Sequence, residues 1–232
     1  MGQFLNIDMS GEKTVLGVDE AGRGPIVGPM VIVGALFKKT DEPKLKKLGV
    51  KDSKLLTPKK REELFPKIKE IAKDYKVIEV SPAEIDQRFS VNINLNKLEA
   101  VKYAELINEL KPDVAIIDCP SPNTKSFAEY LSQFIEHKCE LVCENYADKN
   151  YLEVGAASII AKVIRDSRIA EIQEAVGMPI GVGYTHDKVT LGFVEKALKN
   201  NEWLNKYIRK SWLTFQNIKN KKEQKRLGDF EG

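Results

Sequence analysis

Four carboxylates stand where this chain could do chemistry. Asp19 and Glu20 follow the apolar run Thr14 to Val18, Asp118 follows Val114 to Ile117, and Asp148 is expected in a polar loop ahead of a long helical segment. Clustered acids without His or Cys nearby favour a hard cation over zinc or a redox metal. Such a cluster repels itself, whereas two Mg²⁺ ions would balance four carboxylates and clamp the attacking and leaving oxygens of a phosphodiester. Taken alone, Asp19 and Glu20 fit a structural or merely solvated acidic turn better than a site, because turns favour Asp for local hydrogen bonding. Successive strand side chains point to opposite faces, so these two serve one site only where the strand breaks, and the turn at Gly22 and Gly24 is expected to supply that break. The loop Gly22-x-Gly24-x-x-x-Gly28 follows a strand as a dinucleotide fingerprint does, but its last spacing is wrong and Pro25 interrupts the helix start. The two acids before it would also repel a bare phosphate.

The elements that must hold these residues read as strands alternating with helices. Strands are expected at Thr14 to Val18, Met30 to Phe37, Val77 to Val80, Val114 to Ile117 and around Leu141-Val142. Thr57 followed by Pro58 is an N-cap with proline in the first helical position, opening a helix to about Tyr75 that Pro66 should kink or restart. Ser81-Pro82 repeats the start signal, and Leu95, Leu98, Val101, Leu106 and Leu110 then mark an amphipathic helix. Phe127, Leu131, Phe134 and Ile135 mark another. Ala156 to Val176 is a long helix whose small residues at the start allow close approach to a neighbour; shorter helical stretches follow at Thr190 to Lys199 and Trp203 to Ile218. The pattern predicts an α/β fold, a mixed sheet of five or so strands flanked by helices, with a small helical C-terminal region.

At 232 residues the chain is long enough for one domain with its own core. Its longest apolar stretch, Val27 to Phe37, is broken by Gly and Pro and covers 11 residues, far short of the roughly 20 that span a bilayer. No apolar block follows a basic start within Met1 to Thr14, so a cytoplasmic protein is expected. Three cysteines, Cys119, Cys139 and Cys143, form no disulfide framework and read as small buried hydrophobes of a reducing compartment. The net charge of +3 is uneven: Lys206 to Arg226 carries eight basic residues and one acid, leaving −4 on the remainder. That basic arm, interleaved with Tyr207, Trp212 and Phe215, suits either a solvated helix face or contact with nucleic acid.

The run Gly17-Val18-Asp19-Glu20-Ala21-Gly22-Arg23-Gly24-Pro25, with Gly28-Pro29-Met30 after it, resembles the opening motif of type 2 ribonuclease H, ribonuclease HII, of archaeal type. Further motifs agree in order: Asp52-Ser53-Lys54, Ile117-Asp118, Ala147-Asp148, Ala156 to Lys162, Arg165-Asp166, Gly183-Tyr184 and Ser211-Trp212. The resemblance spans Val15 to about Ile218 and implies an RNase H-like fold. It implies a metal-dependent endonuclease that cuts RNA in RNA/DNA hybrids and on the 5′ side of single ribonucleotides in duplex DNA, leaving 3′-hydroxyl and 5′-phosphate ends. Asp19, Glu20, Asp118 and Asp148 would be the catalytic ligands of Mg²⁺ or Mn²⁺. Gly22, Arg23 and Gly24 would read the 2′-OH with backbone groups, Tyr184 would pack on the following sugar, and Ser53, Lys54, Lys162 and Arg165 would contact phosphates. A non-catalytic hybrid-binding module would need only the basic arm and would leave the four matched carboxylates unexplained.

Two departures and one addition stand out. Family members commonly follow the tyrosine with Pro-Ser-Asp-Pro, whereas Thr185-His186-Asp187-Lys188 stands here, which predicts a less fixed loop around Tyr184. His186 could assist proton transfer or be a surface residue without a role. At the end of the chain, Gln224, Leu227 and Phe230 resemble a sliding-clamp interaction box, with Glu231 where a second aromatic is often found. The expected organisation is a catalytic domain over 1–185, a helical region over 186–220 and a basic clamp-binding tail over 221–232.

Overall fold

The computed structural model describes residues 13–50, 56–200 and 202–228. A five-stranded sheet is built from β1 (Thr14–Ala21), β2 (Met30–Lys38), β3 (Asp74–Val80), β4 (Val114–Asp118) and β5 (Glu140–Glu144), in the order β3-β2-β1-β4-β5. β2 is antiparallel to β1 and β3, while β1, β4 and β5 run parallel. Around it lie α1 (Glu42–Leu48), α2 (Pro58–Ile71), α3 (Pro82–Gln87), α4 (Leu95–Leu110), α5 (Thr124–Ser132), α6 (Ala147–Asn150), α7 (Leu152–Val176), α8 (Lys188–Asn200) and α9 (Leu213–Gly228). This is the mixed α/β architecture the alternation implied.

The central strands are apolar throughout because both faces are covered. One face, with Leu16, Val18 and Ile32, packs on Tyr103, Leu106 and Ile107 of α4. The other, with Val31, Val33 and Phe37, packs on Leu64 and Ile68 of α2 and Ile159 and Ile160 of α7. α7 approaches β1 so closely that a Cβ at Gly17 would lie 2.2 Å from the backbone carbon of Glu153. A third core, including Ile26, Ile169, Phe193 and Phe215, joins the C-terminal helices to α7 and to the loop after β1.

Several expected boundaries move. The helix opening at Thr57, whose side chain accepts from the Lys60 amide at 3.2 Å, ends at Ile71 and not near Tyr75, which already belongs to β3. It runs through Pro66 without restarting, since its buried Leu64 and Ile68 hold one face on the core. Ser81 caps the six-residue α3, which is separate from α4. Asp148 lies in the short helix α6 and not in a loop, and α7 begins at Leu152, four residues before Ala156. The stretch Trp203 to Ile218 is not one helix: a 3₁₀ turn, Glu202–Tyr207, leads to a β-bridge at Ile208 before α9 starts. α9 then carries the basic arm past position 220.

Candidate active site

β1 and β4 run side by side only as far as Val18 and Ile117. Beyond that point β1 stays paired with β2, Asp19 opposite Val33 and Glu20 opposite Ile32, while Asp118 is paired with Glu144 of β5. The two parallel strands therefore part at their carboxyl ends, the place where open α/β sheets form crevices, and the acids stand on its lips. Contrary to expectation, the strand does not break between Asp19 and Glu20; pairing persists to Ala21. Alternation is intact, and the two carboxylates go to opposite faces.

On the α7 face, Asp19, Asp118 and Asp148 each offer an oxygen, all within 4.8 Å of one another. Asp19 and Asp148 are buried. The Ala147 amide at the start of α6 donates to Asp118 Oδ1 at 2.9 Å, which ties the Asp148 segment to the end of β4. Tyr146, just before it, holds φ at +60°, a conformation uncommon for a non-glycine residue. Burial, and then the neighbouring Glu20, push the Asp19 carboxyl up to about 7; Lys162, Ser158 and the Glu20 amide at 2.7 Å partly offset this. Three hard oxygen donors converging in one place are what a divalent cation such as Mg²⁺ or Mn²⁺ takes, so the residues fit such an ion.

On the α4 face, Glu20 Oε2 accepts from the hydroxyl of buried Tyr103 at 2.8 Å. Burial, followed by Glu99, raises the Glu20 carboxyl. Arg23 turns its side chain inward: Nε donates to both oxygens of fully buried Glu99, at 2.8 and 3.1 Å, and Nη2 donates to Asn96 Oδ1 at 2.6 Å. What Arg23 offers the cleft is chiefly its backbone. Gly22 makes the turn with φ at +80°, and a Cβ there would meet the Pro29 carbonyl oxygen at 2.8 Å.

One cleft is lined by Asp19, Glu20, Gly22, Arg23, Gly24, Asp118, Lys162, Arg165 and Tyr184, so most of the expected site residues converge. Lys162 Nζ donates to Ser158 Oγ one helical turn back. The Arg165 guanidinium is held by the Val182 carbonyl at 2.6 Å and by Asp166 at 3.1 Å, and lies 5.4 Å from the centre of the Tyr184 ring. Side chains hold the backbone of the loop around Tyr184. Asp187 accepts from the amides of Val182 at 2.8 Å and Val189 at 2.9 Å, and buried Thr190 bridges the Gly183 amide to the Ile180 carbonyl. His186 stacks on Tyr184, with ring centres 5.5 Å apart. Ser53 and Lys54 lie outside the described residues, as do Phe230 and the side chains of Gln224 and Leu227.

Sequence reasoning missed Arg61, which also lines the cleft, and the supporting pair Glu99 and Tyr103. A signal for the pair existed: Glu99 interrupts the apolar stripe Leu95, Tyr103, Leu106 of α4, and a charge on a buried face needs a partner. Among the described residues, no helix is long and apolar enough to cross a membrane.

The profile of the ribonuclease HII family matches residues 16–215. A ribonuclease HII of Methanococcus maripaludis is 43% identical over 227 residues, covering 96% of this chain and 94% of its own length. The crystal structure of ribonuclease H2 from Pyrococcus horikoshii superposes with a TM-score of 0.83 at 38% identity, covering 90% of this chain and 98% of that one. Ribonuclease HII from Archaeoglobus fulgidus, solved as a complex with PCNA, gives 0.78 at 36% identity over 88% of this chain and 96% of that one. With the family profile matched from β1 to the start of α9 and relatives of nearly equal length aligned throughout, this chain belongs to the ribonuclease HII family and is an endonuclease hydrolase of the RNase H class.

Proposed function

We propose that the chain cleaves the RNA strand of RNA/DNA hybrids and cuts on the 5′ side of single ribonucleotides in duplex DNA, leaving 3′-hydroxyl and 5′-phosphate ends. In the cell this would serve removal of misplaced ribonucleotides and of RNA primers. One observation carries the reading: a three-aspartate cluster at the parting of β1 and β4, opening on a cleft lined by a glycine loop, a tyrosine and cationic side chains. Asp19, Asp118 and Asp148, with Glu20 beside them, would hold two divalent ions. When bound, Mg²⁺ or Mn²⁺ would supply an activated water and charge stabilisation at the departing 3′ oxygen.

The chain's own residues do the rest. Arg61, Lys162 and Arg165 give the cleft a positive rim for the phosphate backbone, to which Ser53 and Lys54 would add. Gly22 and Gly24 lack side chains, so the loop's backbone can approach a ribose and its 2′-OH closely. Tyr184, braced by Arg165 on one side and stacked with His186, would pack on the next sugar. Residues 1–185 would form the catalytic unit and 186–220 a helical brace. The experiment is a gel assay with Mg²⁺ or Mn²⁺ on duplex DNA bearing one ribonucleotide and on a long hybrid. Cutting 5′ of the ribonucleotide is expected, with Tyr184→Ala losing more on that substrate than on the hybrid. Binding without cutting, or cutting in excess chelator, overturns the reading.

The tail over 221–232 would engage a sliding clamp through Gln224, Leu227 and Phe230, a reading supported by the archaeal relative solved with PCNA. Two apolar side chains in a basic tail suit a partner's pocket. Calorimetric titration with the clamp should show binding that deletion of 224–232 or Phe230→Ala removes, with nuclease activity on free oligonucleotides preserved. Unchanged clamp affinity in both variants rules the motif out.

A further inference from the structure

Arg209 is a fully buried arginine, 181 residues beyond Gly28 and outside every motif that points to catalysis. Its guanidinium donates to three backbone carbonyls of the loop after β1: Nη2 to Gly22 at 2.6 Å, Nη1 to Arg23 at 2.8 Å and Nε to Gly28 at 3.1 Å. Trp212 Nε1 donates to the Gly24 carbonyl at 3.0 Å, and its ring lies 4.9 Å from the Arg209 guanidinium. The carbonyls of Gly22, Arg23 and Gly24 are thus all held from behind by one C-terminal segment. That segment is itself stapled to the loop base: Ile208 bridges Val27, Gly28 N donates to the Tyr207 carbonyl at 2.8 Å, and Arg209 N donates to the Ile26 carbonyl at 2.9 Å.

A trans peptide is planar, with its carbonyl and the following N–H pointing in opposite directions, and none of the peptides here is cis. Pinning the Gly22 carbonyl therefore aims the Arg23 amide away from the buried guanidinium, and pinning the Arg23 carbonyl does the same for the Gly24 amide. Both residues line the cleft, and neither amide has an acceptor among the described residues. A loop with free amides in front and satisfied carbonyls behind is a fixed donor pair.

We propose that Arg209 is a positioning residue for sugar discrimination: by fixing two peptide planes it presents the Arg23 and Gly24 amides to the 2′-oxygen of a ribonucleotide. This rests on the reading of the loop given under Proposed function. Burial costs a guanidinium its hydration, and backbone carbonyls restore it only if they converge with the geometry of its planar fork. Lysine keeps the charge and cannot reach three carbonyls at once.

The test measures binding in metal-free buffer, where nothing is cut, of two duplexes that differ only in one 2′-OH. It is paired with ¹⁵N relaxation of the Arg23 and Gly24 amides. Arg209→Lys should reduce the preference for the ribonucleotide duplex about tenfold, the scale of one charge-assisted hydrogen bond lost. It should leave affinity for the all-DNA duplex within about twofold and make the two amides mobile on the ps–ns timescale. Equal weakening on both duplexes, or a wild-type preference with rigid amides, overturns the proposal. Should Arg209→Lys fail to fold, Arg209→Gln leaves a neutral donor that can hold one of the carbonyls without burying a charge; about a threefold or greater drop in preference with raised amide mobility is expected, and no change in either overturns it. A wild-type protein without preference would instead overturn the reading of the loop, and the relaxation data alone would then decide whether Arg209 fixes it.

Discussion

β1 presents its two acidic residues to opposite sides, and the two sides solve the problem of buried negative charge differently. Toward α7, Asp19 joins Asp118 and Asp148 in a cluster that suits a cation from outside the protein. Toward α4, Glu20 meets a tyrosine hydroxyl, and the nearby Glu99 has its cation built in as Arg23. A carboxylate turned onto a built-in cation reads as structure, and carboxylate oxygens that converge on one point read as a place for a ligand. The same alternation that turns Asp19 toward α7 turns Glu20 toward α4, and both line the one cleft.

The largest expected effect tests the α7 side. Asp118→Asn keeps an oxygen to accept from the Ala147 amide, so α6 should stay in place while one charge leaves the cluster. Cleavage should fall by more than about 100-fold, beyond the 10–100-fold typical of losing a supporting partner of a metal ligand. In chelator, the melting temperature should hold or rise, because a like charge is gone. Mg²⁺ or Mn²⁺ should raise the melting temperature of wild type, which binds ions only when folded, and raise that of Asp118→Asn less. Equal stabilisation of both proteins by metal would remove Asp118 from the ligand set.

A smaller effect tests whether the α4 side supports the reaction at all. Tyr103 is buried with its ring 6.0 Å from Phe127, edge to face, and its hydroxyl faces Glu20. Burial, with Glu20 and Glu99 close by, raises the phenol well above its ordinary range, so it remains a protonated donor. Tyr103→Phe keeps the ring and deletes the donor. The Mg²⁺ concentration for half-maximal activity should rise about tenfold, at the lower end of the range for supporting partners, with stability changed by no more than about 1 kcal/mol. An unchanged metal requirement would mean that Glu20 needs no support from α4.

What could be read in the sequence was whatever is local. The apolar runs ending in Asp19 and Asp118 and the proline-led helix starts at Thr57 and Ser81 all carry their signal within a few residues. The early end of α2 could not be read, because strand pairing with β2 draws Asp74 and Tyr75 away from the helix. Nor could the role of Arg209, whose carbonyl partners lie up to 187 residues away. Nor could the hydrogen bonds by which Asp187 and Thr190 hold the backbone near Tyr184, which no local pattern announces.

The smallest effect is the sharpest test of the comparison, because it makes the same chemical change on the other face. Glu99→Gln, like Asp118→Asn, turns a carboxylate into an amide of the same size. Glu99 is fully buried and takes both bonds from Arg23 Nε, whereas Arg23 also keeps Asn96 and about a third of its side chain's exposure to water. The substituted side chain would retain one acceptor oxygen but lose the charge, and its amide group would face another donor. Removing the Glu99 charge also relieves the repulsion that helps push Glu20 upward, which offsets part of the loss. Water around Arg23 screens the remainder. The net cost should be about 1 kcal/mol, seen as a melting temperature lower by roughly 2–4 °C. Metal should stabilise this variant as fully as wild type, since Asp19, Asp118 and Asp148 are untouched. The two amide substitutions should therefore move metal-free stability in opposite directions, or at least leave only Glu99→Gln destabilised. If Glu99→Gln raised the melting temperature in chelator, the α4 side would also be a cluster in search of an external cation, and the division of labour across β1 would be wrong.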